Sequence, residues 1–127
     1  MKIEHLGYNV PDPVAMAQWY VDHLGMRIAK VGQVNQAHFL ADSAGAMMIE
    51  IYHNPDAEVL DYPAIKASTL HLAFEADDVA AVRHRLLGAG AAAEGDVVTD
   101  PNGDQMAWMR DPWGCSIQIV RRAKPIL

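Results

Sequence analysis

The strongest constraint on this chain is that its pattern is written twice. His5-Leu6-Gly7 returns as His71-Leu72-Ala73, and Asp12 returns as Asp78, both at an offset of 66 residues. Ile49-Glu50-Ile51 returns as Ile117-Gln118-Ile119 at an offset of 68, and loops absorb the difference. Two copies in 127 residues leave about 60 residues each, which is too few for a secure core built alone. The copies can share a core or exchange surfaces with a partner. A two-copy repeat is also too short for a solenoid.

Each copy reads as β-α-β-β-β, an α+β architecture. Lys2 to Val10 alternates, with Leu6, Tyr8 and Val10 on one face and Ile3, His5, Gly7 and Asn9 on the other. Pro11-Asp12-Pro13 stops that strand and opens a helix, because Asp12 can cap free N–H groups and Pro13 suits the first helical position. Val14, Ala17, Val21 and Leu24 then recur at helical spacing, and Gly25 suits the position beyond the end. Short strands are expected near Arg27–Val31 and Ala37–Ala41, followed by a clearer one in which Met47, Ile49 and Ile51 oppose Met48, Glu50 and Tyr52.

The second copy starts with Leu70, Leu72, Phe74 and Ala76 alternating against Thr69, His71, Ala73 and Glu75. Asp77 or Asp78 can cap a helix carrying Val79, Val82 and Leu86. Strands follow near Asp96–Thr99 and Gln105–Met109 across an Asn102-Gly103 turn, and Asp111-Pro112-Trp113-Gly114 turns into a last strand from Ser116 to Arg121. The expected organisation is one domain over 1–127, with modules 1–53 and 68–123. The connecting segment 54–67 is rich in turn residues, yet its Val59, Leu60, Tyr62 and Ile65 suggest packing against the body.

Composition excludes several functions. Ten basic against sixteen acidic side chains give a net charge of −6, which argues against nucleic acid, since phosphate binding needs concentrated positive charge. One cysteine, Cys115, permits neither an internal disulfide nor a zinc site built on several thiolates. No apolar run reaches the roughly 20 residues that span a bilayer. The start carries polar residues too early for a signal peptide. A cytoplasmic protein without membrane or nucleic-acid partners is expected.

Strand parity then selects four polar residues. His5 and His71 point away from the helix-facing side of the first strand in each copy. Glu50 and Gln118 do the same in the last strand of each copy. Taken singly, each has an ordinary explanation: a histidine near a strand start is usually a surface residue, and Glu50 fits any strand with one wet face. Their equivalence in the repeat is what singles them out. Two imidazoles, a carboxylate and an amide oxygen suit a divalent first-row metal such as zinc, nickel, cobalt, manganese or ferrous iron. Gln118 is the weaker ligand and could instead act through a hydrogen bond.

Other candidates are weaker. His23 and His84 fall on helices, and His38 and His53 read as structural or surface residues near a cavity mouth. Trp108, Trp113 and Tyr52 are candidates for a substrate-binding wall, with core packing or turn anchoring as the ordinary alternative. Gly88, Gly90 and Gly95 lack the Lys and Ser or Thr of a phosphate loop, and no serine elbow occurs. Nothing activates Cys115, so a structural thiol is expected.

With these residues in place, the chain resembles the vicinal oxygen chelate superfamily: glyoxalase I, methylmalonyl-CoA epimerase, fosfomycin-resistance proteins, extradiol dioxygenases and bleomycin-resistance proteins. The resemblance rests on His5-Leu6-Gly7, the helix end from Tyr20 to Gly25, Ile49-Glu50-Ile51-Tyr52, His71-Leu72-Ala73-Phe74, and Asp111-Pro112-Trp113-Gly114-Cys115-Ser116-Ile117-Gln118. It is closest to glyoxalase-I-like members. It implies paired β-α-β-β-β modules, a homodimer with a small-molecule cavity, and metal ligands at His5, Glu50, His71 and Gln118. The bacterial glyoxalase pattern has Glu at the last of these, so Gln118 is a departure. It puts the ordinary glyoxalase acid–base arrangement in doubt.

The resemblance implies metal-dependent isomerase, epimerase or lyase chemistry on a small oxygenated substrate, with no organic cofactor. Glu50 is then the catalytic carboxylate, as ligand, proton shuttle or both. One alternative is an iron-dependent extradiol dioxygenase, although its carboxylate aligns with Gln118. Thiol transfer to an antibiotic would need a cosubstrate site that the sequence does not reveal. A further alternative is a metal-free protein that sequesters a drug, as bleomycin-resistance proteins do.

Overall fold

Two aspartate caps set the helices, the first of them flanked by prolines. In the computed structural model, which describes residues 1–127, Asp12 Oδ1 accepts a 3.1 Å hydrogen bond from the Ala15 amide and Pro13 begins helix α1, Pro13–Leu24. Gly25 ends α1 at a left-handed φ of 68°. In the second copy, Asp78 rather than Asp77 is the cap, accepting from the Ala81 amide at 2.9 Å ahead of α2, Val79–Gly88.

The chain divides into two units, Met1–Leu60 and Asp61–Leu127, and each has its own sheet. The first unit contains β1 (His5–Asn9), β2 (Arg27–Val31), β3 (His38–Ala41) and β4 (Met48–Tyr52), in the order β1-β4-β3-β2. Its core joins Tyr8, Val10, Leu40, Ile49 and Ile51 of the sheet region to Met16, Ala17 and Tyr20 of α1. The expected stripe through Val14 is corrected here, for Val14 is 51% exposed. Pro13, Met16, Ala17 and Tyr20 follow the i, i+3, i+4, i+7 rule, which leaves Val14 rotated roughly 100° off that face.

The second unit contains β5 (Leu72–Glu75), β6 (Ala92–Ala93), β7 (Val98–Thr99), β8 (Gln105–Arg110) and β9 (Ser116–Arg121). Its order is β5-β9-β8-β6, with β7 also paired to β8. The two-residue β6 lacks any alternating pattern in sequence and was not expected; it is defined by pairing of Ala92 with Arg110 and Ala93 with Met109. Val79, Leu86, Ala107, Met109, Ile117 and Ile119 form the core of this unit.

The repeat holds to the residue. Leu6 pairs with Ile49 and Gly7 with Glu50 in the parallel β1–β4 ladder. Leu72 pairs with Ile117 and Ala73 with Gln118 in the parallel β5–β9 ladder. The two sequence offsets therefore describe one structural equivalence.

Two carboxylates organise the turns of the second unit. Asp111 Oδ1 accepts from the Trp113 and Cys115 amides at 2.9 and 2.8 Å, closing the turn that feeds β9. Gly114 in that turn has φ of 85°, and a Cβ there would lie 2.4 Å from Pro63 Cγ and 3.0 Å from the Pro63 nitrogen. Strain and collision act together, so Gly114→Ala is expected to destabilise the protein by about 2 kcal/mol or more, measured by urea unfolding. Unchanged stability would show that the turn relaxes freely.

Asp104 accepts from Arg122 Nη1 at 2.7 Å and from the Ala123 amide at 2.8 Å. The Arg122 bond, reinforced by the Ala123 amide, holds the Asp104 carboxyl below its ordinary value of 3.8. A lowered carboxyl stabilises the fold above the ordinary value and loses that contribution as pH falls through the depressed one. Asp104→Asn should therefore lower Tm at neutral pH, with the gap to the parent protein closing as pH drops below 3.8. Thermal melts across that range check the sign; a gap that widens in acid contradicts it.

Candidate functional site

His5 and Glu50 meet on one face of the first sheet. His5 lies two residues before Gly7 on β1, and Gly7 is the direct partner of Glu50 on β4. His5 Nε2 is 3.4 Å from Glu50 Oε2, while its Nδ1 hydrogen-bonds Glu4 Oε2. Gly7 leaves room for this arrangement: a Cβ there would stand 3.2 Å from the Tyr52 ring and 3.9 Å from Glu50 Oε2. Tyr52 follows Glu50 at the same parity and lines the same cavity.

His71 and Gln118 occupy the matching places in the second unit. His71 Nδ1 donates to the Ala67 carbonyl at 2.8 Å, and a carbonyl can only accept. Nδ1 thus carries a proton, and in the neutral ring Nε2 is the nitrogen left to accept or ligate. Gln118 is buried; its Nε2 lies 3.7 Å from Met106 Sδ. Gln118 pairs across the ladder with Trp108, whose ring stands edge-on to His71 with centroids 4.7 Å apart.

The aromatic partner is itself repeated. Phe39 on β3 pairs with Glu50 and stands edge-on to His5, with centroids 5.5 Å apart. Each histidine thus has a ring fixing its plane, Phe39 in one unit and Trp108 in the other. Phe39 was missed in the sequence, although its offset of 69 from Trp108 nearly matches the repeat.

The first unit also holds a cavity of about 540 Å³ lined by Lys30, Val34, Asn35, Phe39, Glu50 and Tyr52 among others. Its size suits a small molecule. In the second unit Trp108 borders an open groove with Lys66, Ser68 and Arg110. Trp113 instead sits in the Asp111 turn, with its amide bonded to Asp111. His38 and His53 use Nδ1 on the backbone oxygens of Gln36 and Val10, at 2.7 and 3.0 Å. His23 packs on Trp19.

Cys115 is buried, and burial followed by the nearby Asp111 charge pushes its thiol far above the ordinary range. It is a packed side chain rather than a nucleophile. Asn9 is a further residue whose role was hidden: its Nδ2 donates to the Asn54, Ala57 and Glu58 carbonyls within 3.1–3.2 Å, and its Oδ1 accepts from the Asn54 amide. It pins the loop after β4, the strand that carries Glu50.

The donor chemistry fits a divalent cation. Given metal–nitrogen and metal–oxygen bonds of about 2.1 Å, two ligands in one coordination sphere stand roughly 3.0–3.4 Å apart. The His5–Glu50 separation of 3.4 Å falls at the end of that range. The structure gathers no group of three or more His, Cys, Asp or Glu that could hold a metal ion. No helix is long and apolar enough to cross a membrane.

Comparison with solved structures shows the same fold at low identity. A glyoxalase/bleomycin resistance protein/dioxygenase family enzyme from Burkholderia phytofirmans PsJN superposes with a TM-score of 0.79 at 17% identity, over 95% of this chain and 98% of that one. A glyoxalase family protein from Bacillus cereus gives 0.74 at 16%, over 95% and 92%. TnmS3, an antibiotic binding protein from Streptomyces sp. CB03234, gives 0.70 at 20%, over 97% of both chains. A search of curated proteins returns no match. The family model for the Glyoxalase/Bleomycin resistance protein/Dioxygenase superfamily matches residues 2–119, and the chain belongs to that superfamily.

Proposed function

We propose that this protein is a divalent-metal-dependent enzyme that isomerises, epimerises or eliminates on a small oxygenated substrate. The observation that carries the reading is the matched state of the two histidines. In each, Nδ1 is engaged by a nearby oxygen at equivalent places in the repeat, and His5 turns its Nε2 toward Glu50, 3.4 Å away. Such outer hydrogen bonds are the usual companions of metal-binding imidazoles, because they fix tautomer and ring direction.

His5, Glu50, His71 and Gln118 are the residues that would hold the metal, drawn from two modules of one chain or of a homodimer. The bound metal supplies Lewis acidity toward a substrate carbonyl oxygen. Glu50 takes a proton from the adjacent carbon and returns it on the same or a neighbouring atom, since it is the only carboxylate lining the 540 Å³ cavity. His5 and His71 hold their planes against Phe39 and Trp108. Gln118 adds an oxygen ligand without a charge, which leaves the set less negative than one with two carboxylates. No organic cofactor is needed for this chemistry.

A second reading has one specific support: Phe39 and Tyr52 make the same cavity partly aromatic, as suits drug sequestration, and TnmS3 is described as an antibiotic binding protein. Elemental analysis of the purified protein separates the two. One divalent metal per site, together with solvent-deuterium exchange into a hydroxyketone, dicarbonyl or acyl thioester, supports the enzyme. Metal-free protein that exchanges no deuterium after metal is supplied contradicts it.

A further inference from the structure

The β2 strand carries an irregularity that changes which face Lys30 occupies. Ile28 pairs with Leu40, but the next pair is Lys30 with Phe39, so Ala29 and Lys30 together oppose one residue of β3. Without that bulge Ala29 would stand opposite Phe39. Bulges of this type re-aim a side chain, and here the one re-aimed is a lysine.

The consequence is a lateral row on one face of the sheet: Lys30 opposite Phe39, Phe39 opposite Glu50, and Glu50 opposite Gly7. Lys30 and Glu50 are two strand spacings apart, roughly 10 Å between their backbones. Both line the same 540 Å³ cavity, in which Lys30 is the only cation and Glu50 the only acid. The Lys30 ammonium rests 5.6 Å from the centre of the Phe39 ring. No carboxylate is paired with it.

The second unit makes the contrast sharp. There the place next to Trp108, equivalent to Phe39, is taken by Glu94, whose amide donates to the Trp108 carbonyl at 2.8 Å. Glu94 is neutralised by Arg110 at 2.7 Å. The charge at this place is compensated in one unit and left open in the other.

We propose that Lys30 is the anion-binding residue of the cavity, and that the substrate is a small oxygenated molecule bearing a carboxylate or phosphate. Its anionic group sits on Lys30 above Phe39, and its reactive oxygenated end lies toward Glu50 and His5. This rests on the proposed function for the identity of the reactive end, but the anion contact with Lys30 does not depend on a metal. An uncharged analogue of the same shape leaves the ammonium without its partner and binds less well.

The test is an NMR titration of the whole protein, as purified and after chelation, with 4-oxopentanoate and with its uncharged counterpart 4-oxopentanamide. Inorganic phosphate serves as a competitor. Lys30→Met keeps the aliphatic stem over Phe39 and removes the charge, so the fold should hold. Expected is oxopentanoate binding weakened about tenfold or more by Lys30→Met and kept within about threefold by Lys30→Arg. The amide should bind the parent protein and Lys30→Met alike. Phosphate displacing oxopentanoate with the tighter constant assigns the group to a phosphate ester rather than a carboxylate.

Equal oxopentanoate affinity in the parent protein and Lys30→Met overturns the proposal. So does the absence of saturable binding by both oxopentanoate and phosphate to the parent protein. Metal content measured on the same samples keeps the two ideas separate. Lys30-dependent binding by a protein that takes up no metal sinks only the metal reading, and Lys30-independent binding by a metal-loaded protein sinks only the anion site.

Discussion

His71→Ala is expected to weaken divalent-metal binding by about a hundredfold or more, and His5→Ala to do the same. Disturbing only an outer partner of a ligating histidine commonly costs ten- to hundredfold in affinity, so removing the imidazole itself should cost at least as much. Both side chains are exposed on their sheets rather than packed in a core, so neither truncation opens a buried cavity. Tm in the absence of metal should therefore change little, whereas metal-induced stabilisation should largely vanish. Metal titration of the chelated parent protein and both variants gives the affinities. Unchanged affinity in either variant would remove that histidine from the ligand set.

Glu50→Gln is expected to lower proton-transfer turnover by about a hundredfold to ten-thousandfold. The substitution preserves shape and leaves an oxygen that can still face a cation, but the amide cannot accept and return a proton. It would also make the Glu50 place resemble Gln118, so both modules would then present His and Gln. Metal affinity should fall less steeply than turnover, because an amide oxygen remains a ligand of the weaker kind. Solvent-deuterium exchange, read beside metal titration, separates these effects. Turnover that survives intact rejects Glu50 as proton carrier.

How much was legible in the sequence follows from what strand parity can and cannot encode. The equivalence of the His5–Gly7 and His71–Ala73 stretches, and of Glu50 and Gln118 opposite Gly7 and Ala73, could be read, because period-two alternation and the repeat offsets carry that information. The Asp12 cap and the Asp111 turn were legible for a similar reason: both are local chemistry. Val14 went astray because the apolar spacing in α1 fits two neighbouring stripes, and only packing against the sheet selects the one through Met16 and Tyr20.

Lys30 was hidden for a deeper reason. A bulge breaks the alternation, so strict parity from Ile28 assigns Lys30 to the wrong face. Asn9 was hidden because its partners are the backbone carbonyls of residues 54, 57 and 58, and no side-chain pattern marks a carbonyl. The edge-on rings of Phe39 and Trp108 lay within reach of the repeat, yet their significance depends on contact with His5 and His71.

The most direct measurement is anomalous scattering from crystals grown with the metal found by elemental analysis, with data collected at its absorption edge. The expected result is one peak within about 2.3 Å of His5 Nε2, His71 Nε2 and a Glu50 carboxylate oxygen, with the Gln118 oxygen at the same distance or one water away. A fully metal-loaded protein with no peak at these residues, or with its peak elsewhere, would contradict the proposed metal centre.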